Sequence, residues 1–345
     1  MLRPYLPLTV EQLRVKLHTF FGENMNIVIT GSVAFDYLMQ FPGYFRDHFL
    51  PDKLDHISLS FLVESMSRWR GGVAPNIAYT LALLGERPRL MATVGEDFGE
   101  YRTWLEERGI DTSAVKIIPR EFTASFFCNT DRSNAQIASF YPGAMARSNE
   151  VSFYELPYRP DLAVISPSDP SAMTGYTVEC RALGIPYLYD PSQQLARLTA
   201  EDVKSGIEGA LALMVNDYEF GMVQKMTGMT QADILAKVKF MAVTRGEQGA
   251  TVYAEGEEYH IPVVPPACIC DPTGVGDAFR GGFLTGLAHR WSWDLCGQMG
   301  ALAATYCLEQ TGPQGHAYTP KEFIARFREH FDDHGILDQI GEKHG

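Results

Sequence analysis

From Met25 onward, short apolar runs alternate with longer stretches whose apolar residues recur at helical spacing. Ile27-Val-Ile29, Arg89 to Val94, Leu162 to Ile165, Tyr187-Leu-Tyr189, Leu211 to Val215 and Phe240 to Val243 read as buried strands. Phe98 to Arg108, Ser171 to Leu183 and Tyr218 to Met226 read as helices. The alternation predicts βαβ units and a mostly parallel sheet with helices on both faces. In such sheets ligands bind outside the carboxyl ends of the strands. Two stretches break the pattern: His56 to Trp69 and Phe122 to Phe140 interleave polar and apolar residues and read as β. No repeat, low-complexity tract or linker interrupts the chain. Val10 to Phe21 reads as a short helix, but Glu11 and the lack of an apolar core and cleavage site exclude a signal peptide. Residues 1–24 read as a peripheral extension or the product of an upstream start codon.

Two loops carry the chemistry. Asp271 to Phe283 reads DPTGVGDAFRGGF, small residues feeding a helix-compatible segment from Ala278 to Arg290. A helix start of this kind leaves backbone N–H groups unpaired at the positive end of the helix dipole, which makes an anion site. Asp277, in the first turn, can cap that helix or remove a proton from an attacking hydroxyl. The second loop is Arg70-Gly-Gly-Val-Ala-Pro-Asn76, followed by an apolar helical run to Leu84 and by Gly85. Gly71 and Gly72 permit positive φ and close approach of a ligand, and Pro75 suits a first helical turn. Asn76 projects an amide able to donate to and accept from hydroxyls. The same residues also suit an ordinary loop, helix and C-cap.

Gly-Gly-x-x-x-Asn with Gly85 and Gly95, followed about two hundred residues later by Asp-x-Thr-Gly-x-Gly-Asp, resembles the paired motifs of the ribokinase-like (PfkB) carbohydrate and nucleoside kinases. The likeness spans about Met25 to Thr319. It implies a three-layer αβα sandwich with a mostly parallel central sheet and a small β-sheet lid. The domain would cover 25–330, with the lid at about 37–70 and 122–141 and a tail from 331. Val275 stands where the family usually has Ala, a change that keeps the backbone N–H. The resemblance implies phosphoryl transfer with Asp277 as base and the N–H groups of Gly274, Val275 and Gly276 as the anion hole. Asp36, after the first strand, would bind vicinal hydroxyls together with Asn76, Gly71 and Gly72; Asp36 also reads as a plain turn residue.

The donor side has its own counterparts. Asn216-Asp-Tyr-Glu219 resembles the family's Asn-x-x-Glu element, which implies Glu219 organising Mg²⁺ and Asn216 near the triphosphate; both also suit a capping box. Thr244-Arg-Gly246-Glu-Gln-Gly249 resembles the turn along the nucleotide's phosphates, and also reads as a hairpin turn. Arg280 is expected to reach a phosphate or to form a surface ion pair. The adenine of ATP is expected between the segment after Val264 and the helix Leu295 to Glu309. Potassium activation occurs in the family, and the loop at Asp271 and Thr273 is where such an ion would sit.

Thr130-Asp-x-x-Asn134-Ala-Gln136, Asp169-Pro170, Asp190-Pro-Ser-Gln193 and Phe279-Arg280 resemble the nucleoside branch. Phe126, Phe127, Phe140 and Tyr141 are candidates to stack on a base, and Gln136 to read its edge, although lid strands carry aromatics for packing as well. A kinase for ribose, fructose or a keto-deoxy sugar acid is the main alternative; the acid would call on Arg68, Arg70 or Arg132. A catalytically idle ligand-binding member is a second alternative, and an ADP-dependent donor a disfavoured variant. At 345 residues, 46% hydrophobic and net charge −13, the chain can bury a large core and is a poor partner for nucleic acid or anionic membranes. The six cysteines lack CxxC spacing and are expected reduced and buried in a cytoplasmic protein. Monomer and homodimer are both open.

Overall fold

The computed structural model describes residues 25–49 and 58–342. The helix expected over Val10 to Phe21 and residues His56 and Ile57 lie outside them. The chain opens with β1 (Ile27–Thr30) and β2 (Ala34–Gln40). β3 (Ser65–Gly71) leads through Gly72 into α1 (Val73–Leu83), then come β4 (Arg89–Val94), α2 (Gly99–Glu106) and β5 (Asp111–Ile117). A hairpin of β6 (Ala124–Thr130) and β7 (Gln136–Tyr141) follows. The alternation resumes with β8 (Leu162–Ile165), α3 (Pro170–Leu183), β9 (Tyr187–Tyr189), α4 (Ala200–Ile207) and β10 (Ala212–Asn216). It continues with α5 (Asp217–Thr227), α6 (Gln231–Leu235), β11 (Phe240–Thr244), β12 (Ala250–Ala254) and β13 (Glu257–Ile261). Helices α7 (Val275–Ala288), α8 (Trp293–Leu308) and α9 (Pro320–His330) follow, and a short α10 (Asp338–Glu342) ends the described chain, with Leu337 and Ile340 packed into the core.

Nine strands form one sheet in the order β13-β12-β11-β10-β9-β8-β1-β4-β5. Every neighbouring pair from β11 to β5 is parallel, and only β12 runs against the rest. The chain builds outward from β1 through β4 to β5, then returns to β8 on the other side of β1. The strand order therefore switches between β1 and β8, where α/β sheets place their ligands.

Why the strands read as unbroken apolar runs is plain from the two cores. Ile27 and Ile29 face one side with Ala74, Ile77, Phe279, Leu284 and Leu302, whereas Val28 faces the other with Met173, Tyr176, Val203 and Val223. The same division splits Ala212 and Met214 from Leu213 and Val215 on β10. Strands buried on both faces need apolar residues at every position. Thus α1, α7 and α8 cover one face, and α3, α4 and α5 the other.

A second sheet of four strands, in the order β3-β2-β6-β7, stands on the first. One expectation about it needs correction. Only Ser65–Gly71 of His56 to Trp69 is a strand; residues 58–64 have no regular structure, and Phe61 packs instead against the rings of Phe41, Phe45 and His48. Phe122 to Phe140 is β as expected, folded as a hairpin. Its turn is held by Asp131, which accepts hydrogen bonds from the N–H groups of Phe45, Ser133 and Ala135. Asn134 takes a left-handed φ of 62° there. These residues shape the turn, so their likeness to the nucleoside branch has a structural cause.

The cysteine expectation also changes. Cys128, Cys180, Cys296 and Cys307 are buried, but Cys268 and Cys270 are exposed, in the strand-free segment between β13 and α7. No helix among the described residues is long and apolar enough to cross a membrane.

Ile29 is fully buried on the strand at the switch point. Ile29→Ala should destabilise the protein by about 2–5 kcal/mol, through lost transfer energy and the cavity left behind. Urea unfolding would show this as a lower midpoint at unchanged slope.

Candidate active site

Two helices from distant parts of the sequence meet at their first turns. A Cβ on Gly281 would lie 2.5 Å from the Thr80 Cβ and 3.0 Å from the Ile77 carbonyl, so α7 rests directly on α1. Four residues earlier on each helix stand Asp277 and Asn76. The Asn76 Nδ2 donates to the Asp277 Oδ2 at 2.9 Å, across a sequence separation of 201 residues. The glycines expected to shape the two loop-to-helix turns do so. Gly72 has φ 97° and Gly274 has φ 81°, both costly for a side chain. Backbone of Ser32 to Ala34 fills the space beside Gly72, and Pro313 fills it beside Gly274. Val275 starts α7, so the N–H groups of Gly276 and Asp277 have no intrahelical acceptor.

Asp271 fastens this loop down. Its carboxylate accepts from the N–H of Thr273 at 2.9 Å and of Gly312 at 2.9 Å, tying the loop to the turn after α8. Burial opposes ionisation, but these bonds hold its carboxyl below the usual range. Both oxygens of Asp271 thus serve backbone amides, which gives it a clamp's role at the position weighed for a monovalent ion.

Three further carboxylates crowd the site. Burial pushes Asp277 up to about 7; Asp190 and Glu219 add to the rise, and Arg280 and Asn76 pull against it. Burial and the charge of Asp271 push Asp36 up to about 6. Asp190 is fully buried and raised to about 6 by burial, against the pull of Arg280 and Ser166. It therefore stays ionised at neutral pH and bonds the Arg280 Nη2 at 2.6 Å. The surface ion pair weighed for Arg280 fails: its ion pair is buried. The guanidinium lies beneath the loop, with Nη1 2.9 Å from where a Gly276 Cβ would sit. Held by Asp190, it faces Asp277 and Glu219 from within.

Asp36 is the third residue of β2, on the lid itself rather than in a loop. A Cβ on Gly71 would meet its Oδ2 at 2.7 Å. Register pairs Asp36 with Trp69 and Phe126, and Phe126 with Phe140. Directly paired residues share a face, so one side of the lid carries Asp36, Trp69, Phe126 and Phe140. Gln136 pairs with Thr130 farther out on that face and is exposed. Phe127 and Tyr141 alternate to the other side, where Phe127 stacks on Tyr37 at 4.8 Å and Tyr141 donates to Glu121. They are removed from the candidate stack. Trp69, which sequence reasoning missed, packs against Gly312. Arg68 and Arg70 also fall on the outer side, where Glu100 holds them at 2.7 and 3.2 Å.

The donor motifs come together through sheet register. Asn216 and Thr244 end the adjacent strands β10 and β11 as direct partners. Asn216 and Glu219 form a full capping box: Asn216 Oδ1 accepts from the Glu219 N–H at 2.7 Å, and Glu219 Oε2 accepts from the Asn216 N–H at 2.8 Å. The Ser192 hydroxyl donates to the other Glu219 oxygen at 3.2 Å. Gly246 and Gly249, with φ 55° and 82°, make the tight turn after β11.

Residues 38–320 match the profile described as pfkB family carbohydrate kinase. The chain belongs to that family. It is a phosphotransferase with an alcohol acceptor, one of the ATP-dependent nucleoside and carbohydrate kinases. Burkholderia thailandensis nucleoside kinase in complex with inosine is 36% identical, with a TM-score of 0.80 over 88% of this chain and 98% of that one. The same enzyme in complex with ADP-inosine is 38% identical, with a TM-score of 0.77 over 88% of this chain and 96% of that one. The nucleoside kinase of Methanocaldococcus jannaschii is 27% identical over 314 residues, 90% of this chain and 99% of its own length.

A carboxyl raised from about 4 to about 7 is stabilising only while protonated. Wild type should therefore lose stability relative to Asp277→Asn as pH climbs from 4 through 7. By pH 8 the variant should be more stable by on the order of 2–4 kcal/mol. Chemical denaturation of both proteins at pH 5 and pH 8 measures the difference.

Proposed function

We propose that this enzyme transfers the γ-phosphoryl group of ATP to the primary, 5′-type hydroxyl of a nucleoside, with adenosine and inosine as its leading acceptors. The observation that carries the reading is the Asn76–Asp277 bond beside an aromatic lid face that also bears Asp36. A sugar placed between Asp36, Asn76 and the Gly71 backbone would leave its base against Trp69, Phe126 and Phe140, where ring stacking favours an aromatic ligand over a bare sugar. The Burkholderia relative, structurally similar along nearly its whole length, is described with inosine, which supports a purine nucleoside.

In this reading Asp277 takes the proton of the acceptor hydroxyl as its oxygen attacks the γ-phosphorus. Its pKa near 7 suits a base that must both accept that proton and release it at neutral pH. At the start of α7 the free N–H groups of Gly276 and Asp277 would face the charge that develops on the transferring group, while that of Val275 is shared with the Pro272 carbonyl. Arg280 acts from below, restraining the rise in Asp277's pKa, rather than as a phosphate ligand. Thr244, Gly246, Gly249 and Asn216 line the donor's path at the ends of β10 and β11. Among the described residues no three acids, histidines or cysteines form a chelating group. Glu219, with lone pairs left on both oxygens, fits an ion that keeps its waters, and Mg²⁺ would neutralise phosphate charge there. Closing the lid would exclude water, the competing acceptor.

The acid-sugar alternative loses support because Arg68 and Arg70 point away from Asp36 and are paired. A neutral sugar remains the comparison to run. A coupled ADP-release assay with adenosine, inosine, other nucleosides, ribose and fructose should give turnover with nucleosides; turnover with free sugars alone would sink the nucleoside reading. Asp277→Asn should lower kcat by about 10²–10⁴-fold, and wild-type kcat/KM should fall as pH drops through about 7. Trp69→Ala should raise KM for a nucleoside by roughly tenfold, the weight of one stacked ring, and leave KM for ATP unchanged.

A further inference from the structure

Asn76 meets Asp277 through one end of an amide, and an amide can face either way. Turned the other way, Asn76 would present its carbonyl oxygen to a carboxylate, acceptor against acceptor. What sets its direction is Gln314, in the turn between α8 and α9, which no sequence motif marks. The Gln314 Nε2 donates to the Asn76 Oδ1 at 2.7 Å and to the Tyr101 hydroxyl at 2.6 Å. The Tyr101 hydroxyl in turn donates to the Gly71 carbonyl at 3.1 Å. We infer that Gln314 is a positioning residue for the phosphoryl transfer: its two N–H groups fix Asn76 toward Asp277 and, through Tyr101, fix the Gly71 backbone of the acceptor floor. This rests on the reading of Asp277 as base and of Gly71 and Asn76 as acceptor contacts.

The segment is built to hold that side chain still. Gly312 is tied to Asp271 of the anion loop, and the His316 carbonyl accepts from the Tyr79 hydroxyl of α1 at 2.5 Å. Gln314 is suspended between these two anchors and is only 9% exposed. Its own Oε1 accepts no hydrogen bond among the described residues. A buried carbonyl without a donor is unfavourable, and an apolar chain of equal length would avoid it. The amide is therefore explained by its N–H groups. Because each bond in the chain runs donor to acceptor in one direction, the Asp277 Oδ2 is occupied by Asn76, and Oδ1 is left to receive the proton.

Gln314→Met keeps the volume and removes both donors; Gln314→Glu keeps the shape and replaces donors with acceptors. Asp277 faces Asn76, Arg280, Asp190, Glu219 and Cys307; of these Gln314→Met disturbs only the orientation of Asn76, whereas Gln314→Glu also adds a carboxylate two hydrogen bonds away. Losing its hydrogen bond disfavours the ionised carboxylate, so the acidic limb of the pH profile should move to higher pH by about half a unit or more. In Gln314→Met, kcat should fall about 10- to 100-fold and KM for the nucleoside should rise, with KM for ATP unchanged. Gln314→Glu should be worse, and Tyr101→Phe should raise KM for the nucleoside without moving the limb. The inference is overturned if folded Gln314→Met, judged by its melting curve, keeps wild-type kcat and limb. It is equally overturned if both Gln314 variants lose activity and melting temperature together while the limb stays put. If Asp277→Asn itself retains wild-type turnover, the base reading falls and takes this inference with it, a result seen without any Gln314 variant.

Discussion

The approach of α7 to α1 through Gly281 is the constraint on which the site depends. Any side chain at that position would meet Thr80 and the Ile77 carbonyl and push the helices apart. Their first turns would then separate, and Asn76 could no longer reach Asp277. The opposite side of α7 is equally bare. Gly282 lies against the Met299 carbonyl, and Gly286 against Cys296 of α8. A helix with glycines on two faces sacrifices intrinsic propensity, and here packing compensates for it. One helix pressed between two others carries the glycine loop and Asp277, so their position is set by backbone contact rather than by flexible side chains.

Around that junction the enzyme gathers acids that would ordinarily repel one another. Asp36, Asp190, Asp271, Asp277 and Glu219 come to the carboxyl edge of the sheet, and Arg280 is the cation buried among them. Each carboxylate has a different environment and so a different job. Asp271 is fully engaged by amides and clamps a loop. Asp190 neutralises Arg280. Asp277 has one donor, little solvent and a raised pKa, the combination suited to proton transfer.

Much of this was legible in the sequence, for identifiable reasons. The parallel strands announce themselves because burial on both faces forces continuous apolar runs. Glycine loops announce themselves because positive φ and close approach leave little choice of residue, as at Gly72 and Gly274. Asp277 and Asn76 were found through those loops. What escaped depends on long-range packing. The buried pairing of Arg280 was not legible because its partner, Asp190, lies 90 residues away. Gln314 sits in a segment with no local pattern, and Tyr101, although its helix was legible, gives no local sign of the partners it meets across the fold. Trp69 shares a lid face with Asp36 and Phe127 does not, a distinction that needs strand register and hence the folded sheet. Cys268 and Cys270 read as core residues because nothing local reveals that their segment stays uncovered.

The hydrogen-bonded group Asn76, Tyr101, Gln314 and Asp277 draws on residues from the first quarter of the chain to nearly its end. Contacts of such sequence separation close late in folding, after the local units have formed. Every described strand lies earlier in the chain than Gln314, yet without Gln314 nothing sets which end of the Asn76 amide meets Asp277. The sheets and the two helices can thus come together before the amide between them has a fixed direction.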